Sequence, residues 1–145
     1  MKAIQFLYYC VAIIAAIVAL WTYRSNSRRE RAKWAVQLYD KFYETDHYKP
    51  IREKLDCGPD TAADVVQLAT QESPEFTDYL NFFEMVSYLA KSKQLSKNDV
   101  LSLFQYYLQC LKKHDAVMTY LNNKENGFEQ LRKFLRDNNL ESTGP

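Results

Sequence analysis

The sequence predicts an all-α protein in which an N-terminal transmembrane helix continues into a cytosolic bundle of five or six helices. Two observations predict this class. Residues 4–21 form an uncharged, apolar run, and the rest of the chain places apolar residues at helical spacing with only three glycines. So few glycines leave almost no positions for hairpin turns or phosphate-binding loops, which need positive φ or close backbone approach. Helices are therefore favoured over strands.

The apolar run has the length of a membrane-spanning helix. Residues 4–21 rise about 27 Å at 1.5 Å per residue, close to the roughly 30 Å hydrocarbon core of a bilayer. We expect residues 1–3 to be a short translocated N-terminus and residues 4–23 to span the membrane. A cleaved signal peptide is the alternative, but the run is longer than a usual signal core and no clean cleavage site precedes the arginines.

The charge balance changes along the chain and predicts an orientation. Through Lys33 there are six Lys/Arg and one Glu, a balance of +5, whereas the remainder has thirteen against seventeen, a balance of −4. Because basic flanks stay inside, we expect the C-terminal domain to be cytoplasmic and the protein to lie in the inner (plasma) membrane. The predicted membrane-interface residues are Trp21, Tyr23, Arg24, Arg28, Arg29, Arg31 and Lys33.

These basic residues also predict partners. Arginines beside an anionic leaflet favour contact with anionic lipid headgroups of the bilayer. The acidic remainder of the chain would repel a phosphate backbone, so nucleic acid is not expected as a partner.

Three alanines share one face of the predicted membrane helix. Ala12, Ala16 and Ala19 have the i, i+4, i+7 spacing that lets helices approach closely. They are interpreted either as lipid-facing filler or as a seam for self-association.

The segment after the arginines predicts a basic juxtamembrane stalk helix over residues 24–45. Apolar positions recur there at helical spacing without Gly or Pro, at Trp34, Leu38, Tyr39 and Phe42. The predicted helical domain then covers residues 46–137, and residues 138–145 are expected to be a flexible tail.

Caps and turns divide the domain into helices. Asp46 is a predicted cap for a helix that contains Tyr48, Ile51 and Leu55. Residues 57–60 predict a turn, and Asp60 is a predicted cap for the next helix. The next apolar stripe is Val65, Val66, Leu68 and Ala69.

The second half of the domain has stronger helix signals. Ser73, Pro74 and Glu75 predict the start of a central helix, and Ser96 with Asp99 predicts a capping box. A shorter segment follows around Tyr120, and Asn126 with Gly127 precedes a last helix. The predicted apolar positions of these helices are Phe76, Tyr79, Leu80, Phe83, Val86, Ala90, Val100, Leu103, Phe104, Tyr107, Leu108, Leu111, Val117, Tyr120, Leu121, Phe128, Leu131, Phe134 and Leu135.

Motifs for catalysis, metals or cofactors are lacking in the sequence. The only histidines, His47 and His114, belong to no zinc-binding pattern, and no nucleophile elbow, calcium loop or phosphate loop occurs. The three cysteines have no CxxC spacing, which fits a reducing cytosol. We therefore predict no catalytic residues, no cofactor, no metal and a non-enzymatic role.

Glu84 is the most unusual polar residue, since it lies within the apolar stretch YLNFFEMVSYL. A buried carboxylate needs a partner, and Arg52 is a conceivable donor. One interpretation makes Asn81 and Glu84 the polar centre of a ligand or partner site. The other, favoured, makes Glu84 a member of a structural ion pair.

The stretch YLNFFEMVSYLAKSKQLSKNDVLSLFQYYL, with the later Tyr120, Leu121, Gly127 and Phe128, resembles a family of small bacterial single-pass membrane proteins. The resemblance covers residues 34–135. It implies an anchored, α-helical domain of unknown function and carries no reaction or ligand.

The predicted function is a non-enzymatic, membrane-anchored interaction or scaffold module that binds a protein partner, either itself or another membrane protein. The excess of Tyr and Phe would supply the binding hot spots. The alternative is a membrane effector of a stress or phage-defence system that acts through oligomerisation of its anchor. An accessory subunit of an enzyme at the membrane face is a weaker option.

Overall fold

The computed structural model describes residues 2–56, 62–70, 73–138 and 140; within residues 2–11, 28 and 62–64 it describes the backbone only. The chain forms two compact units, Met1–Val36 and Gln37–Pro145, which are described separately. The described part contains seven α-helices and one 3₁₀ helix, so the all-α class is confirmed. The predicted turn at residues 57–60 and most of the predicted tail lie outside the described residues.

The first unit consists of the greater part of helix α1, which runs from Lys2 to Glu44. The absence of Gly and Pro from this segment allows one continuous helix past the arginines. Each described side chain from Ala12 to Arg24 is exposed.

The predicted transmembrane helix is wrong. Among the residues that the structure describes, no helix is long and apolar enough to cross a membrane. The orientation and location drawn from that helix stay predictions.

The second unit contains the last turns of α1 and six further helices. They are α2 (Tyr48–Leu55), α3 (Ala62–Thr70), α4 (Pro74–Lys91), α5 (Lys97–Lys113), α6 (Asp115–Asn122) and α7 (Glu129–Asp137), with a 3₁₀ helix at Lys124–Asn126. Helix α4 packs against α2, α5 and α7, while α6 packs against α3, α5 and α7. The core thus forms around α4.

The two strongest predicted helix starts are confirmed. The Ser73 hydroxyl oxygen accepts the Phe76 amide at 3.4 Å, with Pro74 at the first helical position of α4. In α5 the Asp99 amide donates to the Ser96 hydroxyl oxygen at 3.1 Å, and the Ser96 amide donates to the Asp99 carboxylate at 3.1 Å. Local side-chain chemistry is enough to set both boundaries.

The predicted cap at Asp46 is wrong. His47 is the residue that precedes α2, and it makes no capping hydrogen bond with its side chain. The carbonyls of Thr45 and Asp46 accept the amides of Tyr48 and Lys49 instead, at 3.0 and 3.2 Å. A tight turn of the main chain therefore takes the place of a side-chain cap.

Phe42 is the point at which α1 enters the core of the second unit. Its side chain is fully buried. Its ring centroid lies between 4.8 and 6.0 Å from seven other rings, on α1, α2, α4 and α5. Those rings belong to Tyr43, Tyr48, Tyr79, Phe82, Phe83, Phe104 and Tyr107.

Most of the predicted apolar stripe of α1 is not buried. Trp34, in the first unit, and Tyr39, in the second, are 45% and 40% exposed, and Leu38 is only partly covered. Burial of α1 against the other helices of the second unit therefore depends mainly on Phe42. In α3, Val66 also points outward, whereas Val65, Leu68 and Ala69 are buried as predicted.

Tyr79 brings a polar atom into this core. Its side chain is fully buried, and its hydroxyl has no hydrogen-bond partner among the residues that the structure describes. Desolvation by burial raises the pKa of Tyr79 well above its usual value of 10. The neutral phenol is therefore the form that the folded protein accommodates.

We expect Phe42→Ala to lower the free energy of unfolding by about 3–5 kcal/mol, because it leaves a cavity among packed rings. Urea unfolding followed by circular dichroism measures the change. The control is Tyr88→Ala, an exposed ring on α4, for which we expect a change within about 0.5 kcal/mol. Equal effects of the two variants would show that Phe42 does not hold the core together.

Alkaline pH should destabilise the protein in part through Tyr79. In the unfolded chain the Tyr79 phenol has a pKa near 10, and in the folded protein its pKa is higher. The free energy of unfolding is therefore unaffected by this group below pH 10 and decreases as the pH rises above 10. We expect Tyr79→Phe to reduce this fall by up to about 1.4 kcal/mol per pH unit, with no loss of stability at pH 7. Parallel losses in wild type and variant between about pH 10 and 12 would contradict this role.

Candidate functional site

Glu84 lies on α4 and binds the beginning of α7. Its Oε1 atom accepts the Gln130 amide at 3.0 Å, and its Oε2 atom accepts the Leu131 amide at 2.7 Å. Both amides belong to the first turn of α7, where no intrahelical acceptor is available. The carboxylate thus caps a helix that is 46 residues away in sequence.

The sequence before α7 explains why this cap comes from another helix. Phe128 precedes α7, and its side chain has no atom that could accept a hydrogen bond. A carboxylate at this end also faces the positive end of the helix dipole. The contact that Glu84 makes is therefore structural, with backbone amides as its partners.

Arg52, the donor considered for Glu84, makes other contacts. Its Nη1 atom donates to the Phe42 carbonyl at 2.5 Å. Its guanidinium carbon lies 5.0 Å from the centre of the Phe42 ring and 4.9 Å from that of Tyr43. Arg52 thus fixes the C-terminal end of α1 through a charged hydrogen bond and cation–π contacts.

Asn81 is exposed and lies in a different environment from Glu84. It lines a shallow groove of about 450 Å³ between the last turn of α1, the start of α2 and α4. The other lining residues are Lys41, Thr45, His47, Tyr48, Asp78, Phe82 and Met85. Asn81 and Glu84, predicted together as a polar centre, have separate surroundings.

The groove does not assemble the machinery of nucleophilic catalysis. His47 Nε2 lies 3.7 Å from a carboxylate oxygen of Asp78, beyond hydrogen-bond distance, and both side chains are exposed. The nearby Thr45 hydroxyl donates to the Lys41 carbonyl at 2.6 Å. The hydroxyl is therefore committed to the backbone, and the pair has no activated nucleophile beside it.

Four tyrosines from α1 and α5 form a continuous surface, here called the tyrosine strip: the exposed Tyr39, Tyr43 and Tyr106 and the half-buried Tyr107. The ring centroids of Tyr39 and Tyr43 are 4.5 Å apart, those of Tyr43 and Tyr107 6.3 Å, and those of Tyr107 and Tyr106 5.3 Å. Tyr39, Tyr43 and Tyr106 are 40%, 41% and 50% exposed. The strip is a large aromatic surface that remains open to solvent.

Hydrogen bonds hold the hydroxyls of the strip. The hydroxyl oxygens of Tyr43 and Tyr107 are 3.0 Å apart, and the Tyr106 hydroxyl donates to the Asp56 carboxylate. The bond to Asp56 raises the pKa of Tyr106, desolvation raises that of Tyr43, and a bond with Tyr43 raises that of Tyr39. Tyr39, Tyr43 and Tyr106 therefore keep neutral phenols at physiological pH. The hydrogen bonds orient the hydroxyls of Tyr43, Tyr106 and Tyr107.

The sequence predicted the tyrosines as a class but not the strip. The i, i+4 spacing of Tyr39 and Tyr43 and the adjacent Tyr106 and Tyr107 are visible signals. However, their spacing placed Tyr39 within the apolar stripe of α1. Only the packing of α1 against α5 shows that the Tyr39–Tyr43 pair and the Tyr106–Tyr107 pair lie side by side.

The remaining predicted residues lie in the first unit. Trp21, Tyr23, Arg24, Arg29, Arg31 and Lys33 are exposed, as are Ala12, Ala16 and Ala19. Lys33 forms a 3.1 Å ion pair with Glu30 on the same helix. The side chain of Arg28 lies outside the described part of the structure.

Removing the charge of Glu84 should weaken the attachment of α7. We expect Glu84→Gln to lower the free energy of unfolding by about 1–2 kcal/mol, since one acceptor and the charge–dipole attraction are lost. The matched control is Glu53→Gln on the exposed side of α2. We expect this variant to change the free energy of unfolding by less than about 0.5 kcal/mol. Hydrogen exchange of the Gln130 and Leu131 amides should accelerate in the first variant only.

A different result would reverse this assignment. If Glu84→Gln kept both its stability and its amide protection while cellular function was lost, the carboxylate would belong to a binding site.

Comparison with known proteins leaves the activity unassigned. No curated protein matches the chain, and no solved structure matches it. A family match covers residues 9–104, which include most of α1, all of α2, α3 and α4, and the first part of α5. The chain belongs to this family, which is described as Domain of unknown function (DUF4760).

Proposed function

We propose that this protein is a non-enzymatic interaction module that binds a protein partner through the tyrosine strip. The observation that carries the proposal is the strip itself, with three of its four rings at least 40% exposed. Exposed aromatic surface of this kind is typical of protein–protein binding sites.

Tyrosine suits this role because each ring buries much area and keeps a polar tip. Tyrosines are enriched among the residues that dominate binding energy, and they lose little rotamer freedom on binding. A partner that covers the strip would gain aromatic contacts and hydrogen bonds at the same place.

The strip is also organised before any partner arrives. The Tyr43–Tyr107 and Tyr106–Asp56 hydrogen bonds restrict the rings, and Arg52 lies over one face of Tyr43. Binding would then cost less conformational entropy than binding by free side chains. This organisation favours a specific docking surface over a random exposure of rings.

The polar groups near the strip support a binding role over a catalytic one. Asp56 accepts from Tyr106, and His114 Nε2 lies 3.2 Å from the Leu55 carbonyl. Both contacts lie within the protein. They join the end of α2 to Tyr106 of α5 and to His114, the residue between α5 and α6.

Site-specific photo-crosslinking in cells tests the proposal. A benzophenone amino acid placed at Tyr39 or at Tyr106 should yield an adduct with the same partner. The control position is Tyr88, an equally exposed tyrosine on α4, which should not yield that adduct. Identical adducts from all three positions, or none from the strip, would contradict the proposal.

Substitutions should weaken the captured complex in the same pattern. We expect Tyr39→Ala with Tyr106→Ala to raise the dissociation constant at least roughly 30-fold, the loss of about 2 kcal/mol typical of hot-spot residues. Tyr88→Ala should change it less than about 3-fold. Titration calorimetry with the identified partner measures both values.

A further inference from the structure

Residues 12–23 of the first unit expose many apolar side chains. Ile13, Ile14, Ile17, Val18, Leu20, Trp21 and Tyr23 are between 56% and 72% exposed. The alanines of the same stretch, Ala12, Ala15, Ala16 and Ala19, are exposed as well. An exposed apolar surface of this size marks an interaction site.

These side chains lie on every side of the helix. At 100° per residue, Val18 and Tyr23 lie about 140° and 280° around the helix from Ile13, and all three side chains are more than half exposed. A groove on a protein covers one stripe of a helix and would leave the other sides in water. A fluid apolar medium can cover them all.

The basic residues beside this segment favour an anionic lipid membrane as the apolar medium. Arg24, Arg29, Arg31 and Lys33 are exposed and follow directly after the apolar side chains. The chain carries a balance of +5 through Lys33, so parallel pairing with the same segment of a second copy would bring like charges together. Anionic lipids offer acyl chains next to negative headgroups and match both features.

We propose that residues 12–33 bind anionic lipid membranes, with the apolar side chains among the acyl chains and the arginines at the headgroup phosphates. Association of this kind does not require a helix that crosses the bilayer. The proposal is independent of the tyrosine strip, which lies in the second unit.

Vesicle sedimentation with the full chain tests the charge requirement. We expect binding to vesicles that contain phosphatidylglycerol to exceed binding to phosphatidylcholine vesicles at least roughly tenfold and to weaken as salt is added. Equal binding to both vesicles, or no binding to either, would overturn the proposal.

Matched charge variants test whether anionic vesicles are bound by the basic residues of the first unit or by basic residues anywhere on the protein. Each basic residue near an anionic surface contributes about fivefold in affinity, so Arg24→Gln, Arg29→Gln and Arg31→Gln together should weaken binding roughly 100-fold. The control removes three exposed lysines of the second unit: Lys91→Gln, Lys93→Gln and Lys97→Gln. An equal loss in both triple variants would overturn the assignment to residues 12–33.

Matched apolar variants test the other half of the contact. Ile17→Asp should weaken binding at least roughly tenfold, because an apolar side chain no longer leaves water. Val66→Asp introduces the same charge at an exposed apolar position of the second unit and should have little effect. If the chain instead self-associates without lipid, and Ile17→Asp abolishes that state while vesicles remain unbound, the occupant is a second copy and the lipid proposal fails.

Discussion

The burial of Phe42 is the contact on which the second unit depends. Its ring meets side chains of α1, α2, α4 and α5, and it is the only residue of α1 that the described structure buries completely. Since α2, α4 and α5 meet around one ring, a substitution there disturbs three interfaces at once. The same burial places the end of α1 beside α5, where the tyrosine strip forms.

Charged and polar groups complete what the aromatic core begins. Arg52 donates to the Phe42 carbonyl and stacks on two rings, Glu84 caps α7, and Asp56 accepts from Tyr106. Each of these contacts joins segments that the aromatic core alone does not orient. The domain therefore fixes helix ends with the half-buried Arg52 and Glu84 and the exposed Asp56, and it leaves three tyrosines of the strip exposed.

The all-α class and the local helix boundaries could be predicted because their causes lie within a few residues. The caps at Ser73 and Ser96 and the buried faces of α2 and α4 follow from spacing and side-chain chemistry. The partner of Glu84 could not be predicted, because backbone amides 46 residues away have no sequence signature. The strip and the separation of Asn81 from Glu84 likewise arise from packing between distant segments. The prediction of a transmembrane helix was wrong, because no helix among the described residues is long and apolar enough to cross a membrane.

Native-state hydrogen exchange of the α1 amides at residues 40–44 tests most directly whether this segment belongs to the core. If Phe42 anchors it, these amides should open with a free energy within about 1 kcal/mol of the amides at the centre of α4, because both are released by unfolding of the whole unit. Exchange several orders of magnitude faster than in α4 would show that the end of α1 detaches by itself, and would remove the basis of the tyrosine strip.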